Sequence, residues 1–197
     1  MKKLFALLTV AAAIAGANPT AFAQVDAGLA AKFLSTAKAA SDSQLGTIAS
    51  ELTGKMQALG TAAVGDAVKS KLNSALTLLT GGKDSAALLS AFDLVKEAKL
   101  TPDQMGVAKE VGNLASAYVV QKNFATLEGS QSDVATLVKS LREGKLTAAI
   151  TPVKNIAGNN HLTDGQKKLI KTVADKYAPG WEKAKGAVDA LKKLPGF

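Results

Sequence analysis

Apolar residues recur along most of this chain at steps of three and four, the spacing of one face of an α-helix. Leu45, Ile48, Leu52, Met56 and Leu59 make the clearest run, closed by Gly60. Before it, Leu29, Phe33, Leu34 and Ala37 predict a helix over 25–39. After it, Val64, Val68, Leu72, Ala75, Leu76 and Leu79 predict a third, ended by Gly81 and Gly82. A fourth runs from Ser85 to about Ala98 with Leu88, Phe92 and Val95 inward. A fifth starts at Pro102 and carries Val107, Val111, Leu114, Tyr118 and Phe124. Three more cover 132–141, 147–157 and 164–178, before Pro179-Gly180 is expected to break the chain. A short last helix from Trp181 to about Leu191 completes the series. Period-two alternation is absent and β-branched clusters are few, so the expected class is all-α, a compact multi-helix bundle with no sheet.

Helix starts are written in the sequence too. Thr101 and Gln104 have the spacing of a capping box, with Pro102 at the first helical position, where its missing N–H costs nothing. Thr163 and Gln166 repeat that spacing, and Ser41 and Gln44 offer a weaker third case.

The two clear boxes lie 62 residues apart, and other features keep the same step. "KLNSALTLLTGGKDSAAL" from Lys71 aligns with "DVATLVKSLREGKLTAAI" from Asp133. Leu72 meets Val134, Leu76 meets Val138, and Gly82-Lys83 meets Gly144-Lys145. Ser85 meets Thr147 as a second pair of expected caps. An internal duplication of about 62 residues with three helices per unit follows. Its approximate units are 41–100, 101–162 and a partial copy over 163–197. So few copies suit a pseudo-symmetric bundle as well as a short solenoid.

The first residues read differently. "MKK" is a short basic start, "LFALLTVAAAIAGA" an apolar run, and Ala21-Phe22-Ala23 an A-x-A junction. This is the layout of a secretory signal peptide over 1–23, in a bacterial style without a lipobox cysteine. The apolar run is short for a spanning helix, and no later run is longer. The expected mature chain is one α-helical domain over 24–197, exported to the periplasm or secreted space.

Composition narrows the chemistry. The chain has no cysteine, so disulfides, thiolate metal sites and thiol catalysis are excluded, and stability has to come from packing. Net charge is +8, falling to +6 once Lys2 and Lys3 leave with the leader. Arg142 is the only arginine among 24 basic residues. Since arginine supplies the fork that reads bases and phosphates, nucleic acid is not an expected partner.

His161 is the only histidine and stands just before a helix cap, so a zinc site or a Ser-His-Asp triad has little to build on. No metal, cofactor or catalytic residue is assigned. Glu51, Asp66, Asp93, Glu97, Glu110 and Asp133 are spread singly along helices, and Glu51 has Lys55 one turn on. "LTGGKDS" lacks the phosphate-loop spacing, and no strand precedes it.

The most distinctive local stretch is "WEKAKGAVDALKKLPGF". Trp181, Ala184, Val188 and Leu191 share one face, and Lys183, Lys185, Lys192 and Lys193 surround it. Trp181 and these four lysines are the candidate surface-binding residues, for weak contact with an anionic envelope component or membrane surface.

The expected function is an exported, non-enzymatic binding or scaffolding protein of the cell envelope or secreted space. Its alternative is a carrier of a small apolar ligand in the bundle interior, where Gly106, Gly112 and Ala115 could leave room. A carboxylate-dependent hydrolase stands third.

Overall fold

A computed structural model describes residues 25–40, 42–62, 64–96 and 100–181, the last four by backbone alone. Among the described residues there are eight α-helices and no strand. They are α1 (Ala27–Ala39), α2 (Ser43–Thr61), α3 (Asp66–Thr80), α4 (Asp84–Asp93), α5 (Pro102–Phe124), α6 (Gln131–Arg142), α7 (Ile150–Ala157) and α8 (Asp164–Trp181). Short 3-10 turns follow α4 at Leu94–Lys96 and precede α7 at Leu146–Ala149. The protein is a compact all-helical bundle.

Its axis is α5. Every residue from Leu114 to Gln121 is buried, so this part of the helix is enclosed on all sides and has no solvent face. The single stripe expected from the sequence misses that. Small or polar residues, Ala115, Ser116 and Ala117, fill the positions between the large ones, and neighbouring helices close over them. α2, α4, α6 and α8 all pack on α5; α1 lies on α2 and α3, and α7 on α6 and α8. Phe33 of α1 meets Tyr118 of α5 edge to face at 4.9 Å, and Phe92 of α4 meets Tyr177 of α8 in the same way at 5.3 Å.

Both capping boxes form as expected. The Thr101 hydroxyl accepts from the Gln104 amide at 3.3 Å, and the Gln104 side chain accepts from the Thr101 amide at 2.9 Å. Thr163 and Gln166 reproduce this at 3.2 and 3.0 Å. Ser41 lies outside the described residues, and the cap of α2 is Asp42, which accepts from the Gln44 amide. Asp26 caps α1 through the amides of Gly28 and Leu29. Just ahead of it, Val25 is buried over Gly60, where an added Cβ would come within 2.4 Å of the valine Cγ2.

The Gly-Lys turns also recur. Gly82 and Gly144 have φ of 71° and 66°, a conformation open to glycine at little cost. In each, the lysine amide bonds back to the carbonyl five residues earlier, Leu78 or Ser140, at 2.9 Å. The glycine amide bonds to Leu79 or Leu141, so both are Schellman ends. Ser85 and Thr147 are not caps. The Schellman turn puts Lys83 at the N-cap and starts α4 at Asp84, leaving Ser85 inside that helix. Thr147 sits within the 3-10 turn. The two segments therefore agree in local motifs and diverge in the path that follows.

Pro179-Gly180 does not break the chain: α8 continues through both to Trp181. Proline removes one donor and crowds the preceding turn, a cost of about 3 kcal/mol that α8 absorbs within its last turn.

Candidate functional site

Trp181 is the last residue of α8, and Lys183, Lys185, Lys192 and Lys193 lie outside the described residues. The helix expected from Trp181 onward lies outside them as well. No helix of the described residues is long and apolar enough to cross a membrane.

The three small residues considered for an interior site have separate fates. At Gly112 an added Cβ would meet the Phe92 ring at 3.2 Å, so the missing side chain is what lets α4 approach α5. Ala115 is fully buried in the core, and Gly106 is exposed with open space around it. Close to Gly112 the Tyr177 hydroxyl lies 3.0 Å from both Asn113 Oδ1 and Ser116 Oγ, and the Ser116 hydroxyl donates to the Gly112 carbonyl. Burial pushes the Tyr177 phenol well above its ordinary range, and the Ser116 hydrogen bond opposes this only in part. Tyr118 is raised as well, first by burial and then by the Asp84 charge.

Three ion pairs among the described residues reach between helices. Asp84, with its side chain 10% exposed, receives Lys122 Nζ at 3.0 and 3.1 Å and Asn123 Nδ2 at 2.9 Å. The Gln166 side chain then donates to the Asn123 carbonyl, which ties the starts of α4 and α8 to the end of α5. Asp42 accepts from the Gln121 side chain at 2.6 Å. The pair expected within α2 between Glu51 and Lys55 does not form. Lys55 reaches Glu110 of α5, and Glu51 is taken by Arg142 of α6, because both partners stand opposite α2 in space. The exposed His161 donates its backbone amide to Asn159 Oδ1. Among the described residues no group of three or more His, Asp or Glu side chains could hold a metal ion.

Hollows among the described residues include two of note. One of about 310 Å³ lies where α1 hands over to α2, against Lys38, Asp42, Ser43 and Thr47. The hydroxyls of Thr47 and Ser50 there are spent on carbonyls of their own helix, Ser43 and Gly46.

The other, a furrow of about 550 Å³, runs between α2 and α6. Both helices pack on α5 and not on each other. The Asp42–Gln121 and Lys55–Glu110 contacts set α2 antiparallel to α5. The short 125–130 connection turns α6 back in the same way, so α2 and α6 run parallel. Gln44 of α2 and Ala135 of α6 both line the furrow, and Glu51 and Arg142 meet seven residues on along each helix. Seven residues of helix span roughly 10.5 Å. Val138 is buried at the base; Lys139 and Glu143 complete the α6 wall.

The closed end is a fork. Arg142 Nε lies 3.1 Å from Glu51 Oε2, and Nη2 lies 2.5 Å from Oε1. With side chains 33% and 40% exposed, such a pair contributes about 0–1 kcal/mol. α5, not this bridge, holds the two helices in place. Glu143 is engaged by Lys145 at 2.8 Å, and that hydrogen bond, with the surrounding lysines, holds its carboxyl below the usual range. Sequence reasoning noted Arg142 as the lone arginine but did not make it a site. The signal was there in its rarity; its opposite wall, 91 residues away at Glu51, was not.

No protein-family model matches this chain, and no curated protein or solved structure is significantly similar to it.

Proposed function

We propose that this is an exported, non-enzymatic helical protein of the bacterial cell envelope or secreted space that works by binding or scaffolding. The observation that carries the reading is the α2/α6 furrow: a recess of about 550 Å³ with amide, apolar and charged groups along it, on a bundle packed around α5. Paired charges elsewhere support the same view, since Asp84 and Glu110 each engage a cation on another helix. Export rests on the basic start, apolar run and A-x-A junction. The C-terminal stretch from Trp181 with Lys183, Lys185, Lys192 and Lys193 adds a weak contact with anionic surfaces in this reading.

The test has two arms. The intact mass of protein recovered outside the cytoplasm should correspond to a chain beginning at Gln24; retention of the leader or of the protein inside the cell would remove the export half. The immobilised mature chain should then retain a defined envelope component, saturably and without altering it chemically. Turnover of that component would remove the non-enzymatic half. Sedimentation with anionic vesicles, with and without residues 181–197, reads the C-terminal contribution; equal sedimentation of both removes it.

A further inference from the structure

We propose, resting on the binding reading above, that the α2/α6 furrow takes a short acidic peptide segment, with Arg142 as the fork for its carboxylate and Lys139 as a second cation. Twenty-three of the 24 basic residues are lysine, and the single arginine stands at the closed end of this furrow. A planar guanidinium does what an ammonium cannot, holding both oxygens of one carboxylate in a fixed plane. Glu51 already occupies the fork in that two-point geometry. Because α5 holds α2 and α6 without help from this bridge, Glu51 serves as an internal stand-in for a ligand carboxylate and yields at small cost.

The remaining dimensions fit the same occupant. The distance from Gln44 to Glu51 along α2, roughly 10.5 Å, matches about three residues of extended chain at roughly 3.3 Å each. At the open end the Gln44 amide can both donate to and accept from a peptide backbone. Ala135 gives a small apolar surface at the open end, and the buried Val138 floors the furrow between the two ends. Lys139, one turn before Arg142, adds a second cation to the α6 wall, and Glu143 beside them is engaged by Lys145.

Fluorescence anisotropy of a labelled, acetylated tetraglutamate peptide titrated with the mature chain tests this, with tetraglutamine as control. Saturable binding of the glutamate peptide, weakened by salt, is expected. Arg142→Ala should weaken it at least tenfold and Arg142→Lys nearly as much, because the fork and not the charge alone is lost. Glu51→Gln should tighten it several-fold by freeing the fork, and Lys139→Ala should weaken it less than Arg142→Ala. Circular dichroism melts of each variant check that the fold persists. The tightening by Glu51→Gln is a gain that a misfolded variant cannot give.

No saturable binding, equal binding of the glutamine peptide, or an Arg142→Ala variant that binds like the parent would each overturn the assignment. So would anionic vesicles binding through Arg142 while the peptide does not. If the peptide fails to bind but the immobilised chain still retains its envelope component, the ligand class falls and the binding function stands. If neither binds, both fall.

Discussion

Two stretches 62 residues apart start alike and end differently. α3 and α6 both finish in a Schellman turn at a left-handed glycine, Gly82 or Gly144, followed by a lysine with φ near −85°. The next residue separates them. Asp84 opens α4 directly, its carboxylate in the first helical turn and drawn to Lys122 and Asn123. Leu146, in the matching place, opens a 3-10 turn, and α7 proper begins only at Ile150. A turn motif sets how a helix ends. What starts next depends on the first side chain beyond the turn: an acid that complements a helix N-terminus and has partners favours an immediate α-helix.

The largest expected effect comes from erasing that difference. Asp84→Ala leaves Lys122 and Asn123 without their acceptor and should cost about 2 kcal/mol, in the range for hydrogen bonds to charged groups; Leu146→Ala should not disturb the start of α4. A denaturant melt that finds Asp84→Ala neutral would mean the ion pair does not distinguish the two starts.

The likeness of the turns is tested by Gly82→Ala and Gly144→Ala. A methyl group there meets nothing closer than Lys122 Nζ at 4.0 Å and Asn113 Nδ2 at 3.6 Å, so backbone conformation sets the cost. Each should lose about 1–2 kcal/mol, the penalty for a left-handed non-glycine residue, and the two should agree closely. A wide disagreement would show that the turns are not equivalent.

The caps extend the comparison one helix further. Thr101→Ala and Thr163→Ala should each cost about 1 kcal/mol. If one is neutral in melts, that box is not a true pair with the other.

The last effect is confined to alkali and lies where α4, α5 and α8 meet. Tyr177 has a raised phenol in the folded state, so its contribution is fully present below the unfolded tyrosine value of about 10. It is lost as pH rises through the higher folded value. Tyrosinate absorbance should therefore rise together with loss of helix signal above about pH 10, and Tyr177→Phe should uncouple the two. Ionisation of all tyrosine with the helix signal intact would place Tyr177 in contact with solvent.

Most of the helices and both capping boxes were legible because they are local: a stripe at helical spacing, or a threonine three residues before a glutamine. The Gly-Lys turns were legible for the same reason. What the sequence hid was mostly pairing at a distance. Nothing near Glu51 shows that it prefers Arg142 to Lys55, and nothing in α5 shows that Ala115 and Val119 are enclosed along with Leu114 and Tyr118. Asp26 and Asp42 cap α1 and α2 without a glutamine or glutamate three residues on that accepts back, so the capping-box spacing does not mark them. Pro179-Gly180 misleads in the other direction: its local preference opposes a helix that the chain nevertheless continues. For the candidate site, one wall was visible as a rare residue type; the recess exists because α5 spaces two helices whose backbones do not pack on each other.

The notch at Gly60 ties the residue just ahead of the α1 cap to one 35 positions downstream. Enlarging that glycine by even a single carbon would force Val25 to shift and loosen the hold on α1, although the sequence of α1 would be unaltered. The first helix would then fray from its leading edge, and trimming enzymes would find a foothold in a protein whose sequence there had not changed.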